Sequence, residues 1–530
     1  MIINYLFKNE VAYPWFKTQD ALFRGFMYVE NKLYVENDAI RYIHNLYKKG
    51  DLAHQLKQIN GQYTFVIKEN SNVIIGTDKL RSFPILYSLK NDLILGDDIE
   101  QIIKVLDKPE INKTSEIEYK ASSIFVSGED TLISELYQIR AGEICEINLD
   151  TGSIEHTEYI DYVHDERYRG CEENLIIDEL WKSYYRAGEN LIKELHGRTA
   201  IVPLSGGADS RMVLTLLKYY RYDKVICFTY GSRNSNEVKI AKRVAKEFGY
   251  EWHYIPYSGT MWKRLRKDTC MNNYENQAFR ASSTPHIQDF EAVRYLKDND
   301  IIPSDSVFIP GHTGDLITGG HITEEYLNKN FSNKEFLSSI IKKFYSYGVI
   351  QKKEYQNIVN KLQNRFLDCE GYDNVRYASL IEWFNIQERQ AKYIVNSTRI
   401  YEFFGYEWLI PLWDYNIINF WHGVPLELRF KRKLYFIAVE DGLPSTNDVK
   451  SYDTVLNKIR TNKIVVTVIR KITRIKRYFR SSLMAERYIP FNMYLKECIF
   501  GRGTFQLVTI TSKVYLERLK SILKMRKEWR

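Results

Sequence analysis

Cysteine is scarce in this sequence, and no two cysteines lie close together. Six are spread over 530 residues, which argues against a zinc cluster or a paired redox motif. A density this low is typical of thiols that stay reduced in a cytoplasm, so we expect a cytoplasmic protein. The first residues lack the basic start and apolar core of a signal peptide. No run approaches the roughly 20 apolar residues that a membrane-spanning helix needs.

The chain also lacks an even distribution of charge. Its net charge is +8, yet residues 461–530 hold 17 Lys and Arg against 4 Asp and Glu. That segment alone carries +13, so the rest of the chain carries −5. Because the positive charge belongs to the tail, it says nothing about the body of the protein. We expect no nucleic-acid partner.

One stretch organises the middle of the chain. Residues 199–202 form a short, apolar run with β-branched residues, which is typical of a buried parallel strand. Residues 203–211 read Pro-Leu-Ser-Gly-Gly-Ala-Asp-Ser-Arg, and apolar residues then recur at helical spacing from Met212 to Tyr220. Hydroxyls and amides in a loop before a helix can bind phosphate oxygens, and the helix N-terminus adds positive partial charge. The pattern predicts a phosphate-binding strand–loop–helix turn.

An aspartate stands inside this turn. Asp209 would be unfavourable beside phosphate unless a cation lies between them, so we predict that it binds Mg²⁺. The run Ser-Gly-Gly-x-Asp-Ser resembles the pyrophosphate-binding loop of the ATP pyrophosphatases, which cleave ATP between its α and β phosphates. The resemblance implies an ATP site, and its expected contacts are Leu204, Ser205, Gly206, Gly207, Asp209, Ser210, Tyr230 and Gly311.

The patterns on either side predict two kinds of fold. Short strands favour an antiparallel, layered α+β domain over residues 1–165; they are expected at 62–67, 72–76, 85–89, 93–96, 142–148 and 153–159. Residues 170–450 alternate strands and helices, which favours an α/β domain with a doubly wound parallel sheet and its ligand at the carboxyl ends of the strands. Its later strands are expected at 225–230, 252–257 and 307–309. Residues 451–530 form a basic C-terminal extension.

Two N-terminal stretches resemble a known family. Residues 59–65, Ile-Asn-Gly-Gln-Tyr-Thr-Phe, and residues 78–87, Asp-Lys-Leu-Arg-Ser-Phe-Pro-Ile-Leu-Tyr, are similar to the later half of the glutaminase domain of asparagine synthetases. With the pyrophosphatase loop behind them in the same order, residues 55–445 resemble that family. The resemblance implies a truncated Ntn-hydrolase-like N-terminal domain and an ATP pyrophosphatase domain with added helices.

The N-terminal domain departs from this family at its nucleophile. The family's glutaminase needs a cysteine directly after the initiator methionine, where the free α-amine serves as base. This chain has Ile2 there, and the 59 residues before Asn60 are too few for the family's glutamine-binding segments. We therefore expect a scaffold without glutaminase activity. The amine would come from free ammonia or from a separate glutaminase subunit.

A second glycine-rich loop follows the strand at 307–309. Residues 310–320 read Pro-Gly-His-Thr-Gly-Asp-Leu-Ile-Thr-Gly-Gly, and the family has Ser-Gly-Glu-Gly-Ser-Asp-Glu-x-Phe-Gly-Gly. The resemblance puts Asp315 on the aspartate that, with Asp209, holds Mg²⁺ against the triphosphate; two carboxylates with phosphate oxygens and water suit that ion. His312 stands where the family has a glutamate of the acyl-transfer centre. We consider it catalytic, with a structural role as the alternative.

Residues 428–435 resemble the family segment that holds a catalytic lysine. We align Lys433 with it and keep Lys431 as the rival. Such a lysine would neutralise charge that develops during adenylation and amine attack, whereas the alternative is a plain basic helix face. Residues 406–414 resemble the element that closes the family's site from the helical side.

Two weaker signals concern the biological setting. Residues 382–392 are similar to family members encoded with surface-polysaccharide genes, which are thought to amidate a sugar acid; Trp383, Gln387 and Gln390 would share one face of a predicted helix there. In the tail, residues 464–480 mix apolar and basic residues as a helix on an anionic membrane surface does. The alternative, which we favour, is a tail that folds back on the body.

The leading hypothesis is an amide-forming ligase. A carboxylate, either aspartate or a sugar uronic acid, would react with ATP and Mg²⁺ to give an acyl-adenylate and pyrophosphate, and an amine would then displace AMP. One alternative is a tRNA-modifying enzyme that uses the same loop, with the basic tail on phosphates. The other is a non-catalytic scaffold descended from a synthetase.

Overall fold

A computed structural model describes residues 1–442 and 503–528. Short gaps within the first range are residues 9, 31, 161, 233–234, 266, 329–331, 349–351, 368 and 370. The amphipathic segment expected at residues 464–480 lies outside the described residues. Most of the basic extension lies outside them as well.

The N-terminal part contains eleven strands and four helices. In chain order they are β1 (Ile3–Leu6), β2 (Phe16–Lys17), β3 (Ala21–Val29), β4 (Lys32–Val35), α1 (Glu36–Lys48), α2 (Leu52–Leu56), β5 (Asn60–Glu69), β6 (Asn72–Thr77), β7 (Leu86–Leu89), β8 (Leu93–Gly96), α3 (Ile99–Val105), α4 (Lys113–Ser122), β9 (Tyr137–Gln138), β10 (Glu143–Asn148) and β11 (Ile154–Glu158). The six strands expected from sequence are present, whereas β1 to β4 and β9 were not expected.

These elements form four layers. A seven-stranded antiparallel sheet has the order β11-β10-β6-β5-β3-β2, with β4 on β3, and a smaller sheet has the order β1-β8-β7-β9. Val66, Ile75 and Leu95 belong to the apolar core that the two sheets share. Helices α1 and α2 pack on the larger sheet, while α3 and α4 pack near the smaller one. The layered α+β expectation is confirmed, except that β1 pairs with β8 in parallel.

The second part is built on five parallel strands. Its elements begin with α5 (Glu173–Leu195), β12 (Ala200–Pro203), α6 (Ala208–Tyr219), β13 (Val225–Gly231), α7 (Asn236–Phe248), β14 (Glu251–Pro256), α8 (Gly259–Leu265), α9 (Thr269–Phe279), α10 (Phe290–Asp298) and β15 (Val307–Phe308). The sheet order is β14-β13-β12-β15, with a fifth strand beyond β15, and every pair is parallel. The direction of winding reverses between β12 and β15, where open α/β sheets bind their ligands.

A helical region completes this part. It comprises α11 (Gly314–Ile317), α12 (Glu325–Asn328), α13 (Asn333–Phe344), α14 (Lys352–Arg365), α15 (Asn374–Phe384), a π-helix (Asn385–Ile394), α16 (Arg399–Phe403), the fifth strand β16 (Glu407–Trp408), α17 (Tyr415–Gly423), α18 (Leu426–Arg429), α19 (Lys433–Gly442) and, after the gap, α20 (Gly503–Glu528). The helix expected over residues 382–392 is present, but from Asn385 onward it is a π-helix. Wider π turns there change which side chains share a face.

A buried arginine joins the two parts of the chain. Arg24 on β3 has no exposed side-chain area, and its guanidinium lies 3.2 Å from Asp97 Oδ2 and 3.3 Å from Glu402 Oε2. Glu402 belongs to α16, so one charge cluster spans the antiparallel and the parallel sheets. Tyr13 adds a second link, because its hydroxyl donates to the Trp408 carbonyl over 2.5 Å.

The last helix of the chain packs on the body. Four apolar side chains of α20 are buried in one core cluster with residues of α3 and α4; they are Tyr515, Leu516, Leu519 and Leu523. This helix of the tail therefore folds back on the body. The packing expected for the amphipathic segment at residues 464–480 stays a prediction. Among the helices that the structure describes, none is long and apolar enough to cross a membrane.

Removing one of these apolar contacts should destabilise the protein. Leu519 is 2% exposed, whereas Val514 on the same helix is 50% exposed. We expect Leu519→Ala to lower the free energy of unfolding by about 2–4 kcal/mol, since it leaves a cavity. Val514→Ala should change it by less than about 0.5 kcal/mol. Urea unfolding measures both, and equal effects of the two substitutions would contradict the packing of α20.

Candidate functional site

Two loops meet where the winding of the parallel sheet reverses. The loop after β12 leads into α6, and the loop after β15 leads into α11. A Cβ atom on Gly311 would lie 2.8 Å from the backbone nitrogen of Ser210, and one on Gly314 would lie 2.8 Å from Asp209 Cγ. Glycine is needed at both positions because the second loop touches the first turn of α6. The two motifs that the sequence singled out are therefore in contact.

Hydrogen bonds of its own hydroxyl groups stabilise the first loop. Leu204 is buried and its amide donates to the Phe228 carbonyl on β13 over 2.8 Å, which extends the sheet into the loop. The hydroxyl oxygens of Ser205 and Ser210 lie 3.1 Å apart, and the Gly207 amide donates to Ser205 Oγ over 3.1 Å. Gly207, with Gly206 before it, lies directly ahead of α6. These donors surround a cradle at a helix N-terminus that suits phosphate oxygens.

The two aspartates of the motifs lie in contrasting electrostatic surroundings. Burial raises the pKa of Asp209, and the nearby Asp315 carboxylate raises it further, while Arg432 opposes both. Burial also acts upward on the pKa of Asp315, but His321 and Arg389 outweigh it and hold that pKa below its usual value. The His321 Nε2 atom lies 3.4 Å from Asp315 Oδ2. The charge of Asp315 thus acts on the carboxyl group of Asp209.

An arginine that the sequence reasoning passed over contacts the first carboxylate. Arg432 donates from Nη1 to Asp209 Oδ2 over 3.3 Å and from Nη2 to Asp209 Oδ1, and its Nε donates to Thr318 Oγ1 over 2.6 Å. Its position results from left-handed backbone at Lys431 and Arg432, with φ of 54° and 61°. The only available signal was the basic run 431–433 itself.

The two lysines predicted for catalysis lie elsewhere on this turn. Lys433 is exposed at the first residue of α19, and Lys431 is exposed with its Nζ 4.8 Å from the Phe430 ring centroid. Within the described part of the chain, no ion pair joins either lysine to Asp209 or Asp315. In this structure the cation at Asp209 is Arg432.

His312 lies in the second loop beside the helical region. Its Nε2 is 2.7 Å from Ser397 Oγ, and the Ser397 hydroxyl donates to the Ile394 carbonyl over 2.7 Å. Because that hydroxyl proton is already used, Nε2 must carry the imidazole proton and Nδ1 is left as an acceptor. Burial lowers the pKa of His312 to about 4, so the ring is neutral near pH 7. The next residue, Thr313, has a left-handed φ of 67°, which is strained for a β-branched residue.

Tyr230, the remaining predicted ATP contact, lies at the end of β13. Its hydroxyl donates to Asp289 Oδ1 over 2.6 Å, and Tyr401 donates to Asp289 Oδ2 over 2.9 Å. Its ring stacks on Tyr257 with centroids 4.8 Å apart. Burial raises the pKa of the Tyr230 hydroxyl well above its usual value, so it stays protonated as a donor.

The donor set fits a magnesium ion that is shared with phosphate. In the part of the chain that the structure describes, no group of three or more His, Cys, Asp and Glu could hold a metal. Asp209 and Asp315 could supply two hard carboxylate ligands next to the phosphate cradle. Mg²⁺ in nucleotide enzymes is commonly held by one or two carboxylates together with substrate phosphates and water. These two residues fit that role.

Comparison with known proteins identifies a family match in the parallel-sheet part of the chain. Residues 198–435 match the asparagine synthase family model. These residues form an asparagine synthase-type ATP pyrophosphatase domain. The chain is also 34% identical over 65 residues to a 7-cyano-7-deazaguanine synthase of Staphylococcus aureus, a match that spans 12% of this chain and 29% of that relative. The chain thus spans less than a third of the length of this curated relative.

Two solved structures show limited similarity. An NH3-dependent NAD synthetase from Campylobacter jejuni is 15% identical, with 36% of this chain and 79% of that chain covered and a TM-score of 0.20. A glutamine phosphoribosylpyrophosphate amidotransferase from B. subtilis is 9% identical, with 56% and 62% covered and a TM-score of 0.18.

Proposed function

We propose that the protein is an ATP-dependent amide-forming ligase. It would transfer AMP from ATP to a carboxylate with release of pyrophosphate, and an amine would then displace AMP. The observation that carries this proposal is that the loop of Asp315 contacts Asp209 beside the phosphate cradle. Both residues lie within the domain of asparagine synthase type. A bound Mg²⁺ would neutralise the triphosphate and stabilise the pyrophosphate as it leaves.

The surrounding residues suit the two half-reactions. The amides and hydroxyls of Ser205, Gly207 and Ser210 would bind the phosphates and fix their orientation. Arg432 would add positive charge where pyrophosphate departs. His312 presents a neutral ring whose Nδ1 can accept a proton from the attacking amine. Lys433 stays a candidate, on the basis of sequence, for neutralising the charge that would develop at the acyl centre.

Pyrophosphate exchange tests the first half-reaction. We would follow incorporation of labelled pyrophosphate into ATP with aspartate and a series of sugar uronic acids, with and without Mg²⁺. The proposal expects exchange that depends on both the acid and Mg²⁺. Exchange with no added acid, or no exchange with any carboxylate, would contradict it, and the acid that works would name the substrate.

The protein should not hydrolyse glutamine. Cys145 is the only cysteine among residues 1–165, and it is fully buried between the two N-terminal sheets, where burial raises the pKa of its thiol. The Asn60 side chain is occupied as well, since its Nδ2 donates to Asp414 and its Oδ1 accepts from the Tyr415 amide. We therefore expect no glutamate release above background from glutamine.

Ammonium chloride provides the positive control for that measurement. With ATP, Mg²⁺ and the acid found by exchange, ammonium should support amide formation if ammonia is the amine, whereas glutamine alone should not. Glutamate release by the purified protein would overturn the prediction. Amide formation from glutamine only after a second protein is added would identify a separate glutaminase subunit.

A further inference from the structure

A cavity lies between the N-terminal part and the parallel-sheet part of the chain. Its volume is about 60 Å³, which leaves room for roughly four to six water-sized groups. Strands β3 and β5, helix α5 and residues 409–414 form most of its wall. Two acidic residues line it, Glu194 and Asp414, and among the residues that the structure describes no Lys, Arg or His does so. The cavity therefore has an acidic lining without a compensating cation.

Glu194 lies at an unfavourable place for a carboxyl group. It is the last residue but one of α5, where the helix dipole disfavours negative charge. The residue is 8% exposed, and its Oε1 atom is buried without a hydrogen-bond partner. Arg198 acts on it from nearby, but the Nη1 atom of Arg198 lies 2.7 Å from Glu407 Oε2. In the described part of the chain no ion pair reaches Glu194. Because a buried carboxylate without a cation is costly, a cationic ligand in the cavity would relieve that cost.

Asp414, the second acidic group, is fully supported by the protein itself. Its Oδ2 atom accepts hydrogen bonds from Asn60 Nδ2 over 3.1 Å and from Asn190 Nδ2 over 2.8 Å. Its Oδ1 atom accepts from the Asn416 amide over 2.7 Å. Asp414 needs no ligand to satisfy it, although its charge adds to the negative potential of the cavity. Glu194 is thus the acidic group that a ligand would complete.

Trp413 offers an unused donor on the same cavity. Its Nε1 atom is buried and has no partner among the described residues. Together with Phe26 and Tyr28 it gives the wall three aromatic side chains. Aromatic rings attract organic cations, whereas a bare metal ion would need more oxygen ligands than this wall supplies. A ligand with an ammonium group and a hydrogen-bond acceptor matches both unpartnered atoms.

We propose that this cavity binds a small organic ammonium ion, with the ammonium group on Glu194 Oε1 and a hydrogen-bond acceptor of the ligand on Trp413 Nε1. Such a ligand would contact both parts of the chain and stabilise their association. The cavity shares no residue with the phosphate cradle. The inference does not depend on the proposed ligase function, and either can fail without the other.

Calorimetric titration of the full-length protein tests this inference. Three probes with equal numbers of non-hydrogen atoms are compared at constant ionic strength: ethanolamine, propylamine and 1-propanol. Wild type should bind ethanolamine about tenfold or more tighter than 1-propanol, with propylamine between them, since only the first two carry the cation and only ethanolamine also carries the acceptor. Equal affinities for all three probes, or no binding of any, would overturn the inference.

Two substitutions assign the contacts. Glu194→Gln keeps the size of the side chain and removes its charge, so the preference for propylamine over 1-propanol should disappear. Trp413→Phe should remove the advantage of ethanolamine over propylamine and keep the preference for a cation. Glu189→Gln is the matched control, because Glu189 is an exposed residue of the same helix, and it should bind like wild type. A cation preference that survives in Glu194→Gln, shown by its melting temperature to be folded, contradicts the assignment.

The affinity for ethanolamine should also depend on pH. Burial raises the pKa of Glu194 to about 7 against the influence of Tyr28 and Arg198, and Glu407 acts in the same direction as burial. Below this pH the carboxyl group is protonated and loses the charge that attracts an ammonium. Binding should therefore weaken by about tenfold from pH 8 to pH 6. Glu194→Gln, which leaves Asp414 unchanged, should show no such dependence, and a pH-independent affinity of wild type would refute the role of Glu194.

Discussion

Asp209→Asn and Asp315→Asn should each reduce acid-dependent pyrophosphate exchange by at least about 100-fold. Each substitution removes one of the two carboxylates available to Mg²⁺ and keeps the size of the side chain. The charge that builds up as pyrophosphate leaves would then lose its metal partner. ATP itself should still bind weakly, because the amides and hydroxyls of the phosphate cradle remain.

Asp223→Asn provides the matched control for both variants. Asp223→Asn is the same chemical change at the opposite end of the sheet. Asp223 precedes β13, whereas the site lies after the carboxyl ends of the strands. It is exposed, and exchange should stay at the wild-type level. Pyrophosphate release at the wild-type rate from either site variant would refute the metal assignment.

Arg432→Met should be the next most damaging change, with a loss of about 100-fold in exchange. The guanidinium already lies at Asp209 and is oriented by Thr318 Oγ1, so it needs little rearrangement to contact phosphate. Arg432→Lys should recover only part of the activity, because an ammonium cannot reproduce the planar set of donors. Circular dichroism and the melting temperature would show that the variants are folded.

Lys433→Met separates this expectation from the one based on sequence. Lys433 is exposed and directly follows Arg432 in the chain. Both substitutions remove one positive charge, so the two variants differ only in the position of that loss. We expect Lys433→Met to lose less exchange activity than Arg432→Met. A larger loss at Lys433, with Arg432→Met near wild type, would favour the lysine assignment instead.

The phosphate loop and the parallel sheet could be predicted because their signals are local. A strand, a turn and a helix are adjacent in sequence around residues 199–220, and the turn binds through backbone amides that any sequence with this geometry supplies. The strands of the larger N-terminal sheet were predicted only in part. β3 contains Arg24 and Gly25, which look polar and disruptive in sequence, yet Arg24 is buried among carboxylates from distant segments.

The sequence by itself determined the fold class and the order of the two sheets, and it selected the two aspartates proposed for the site, since each depends on contiguous patterns. Only the tertiary structure decided which cation faces them. Left-handed backbone at residues 431 and 432 redirects the side chains of a basic run, and helical spacing cannot anticipate that. The π-helix over residues 385–394 likewise changes which side chains share a face. Both features arise from packing against residues far away in sequence, so no local pattern encodes them.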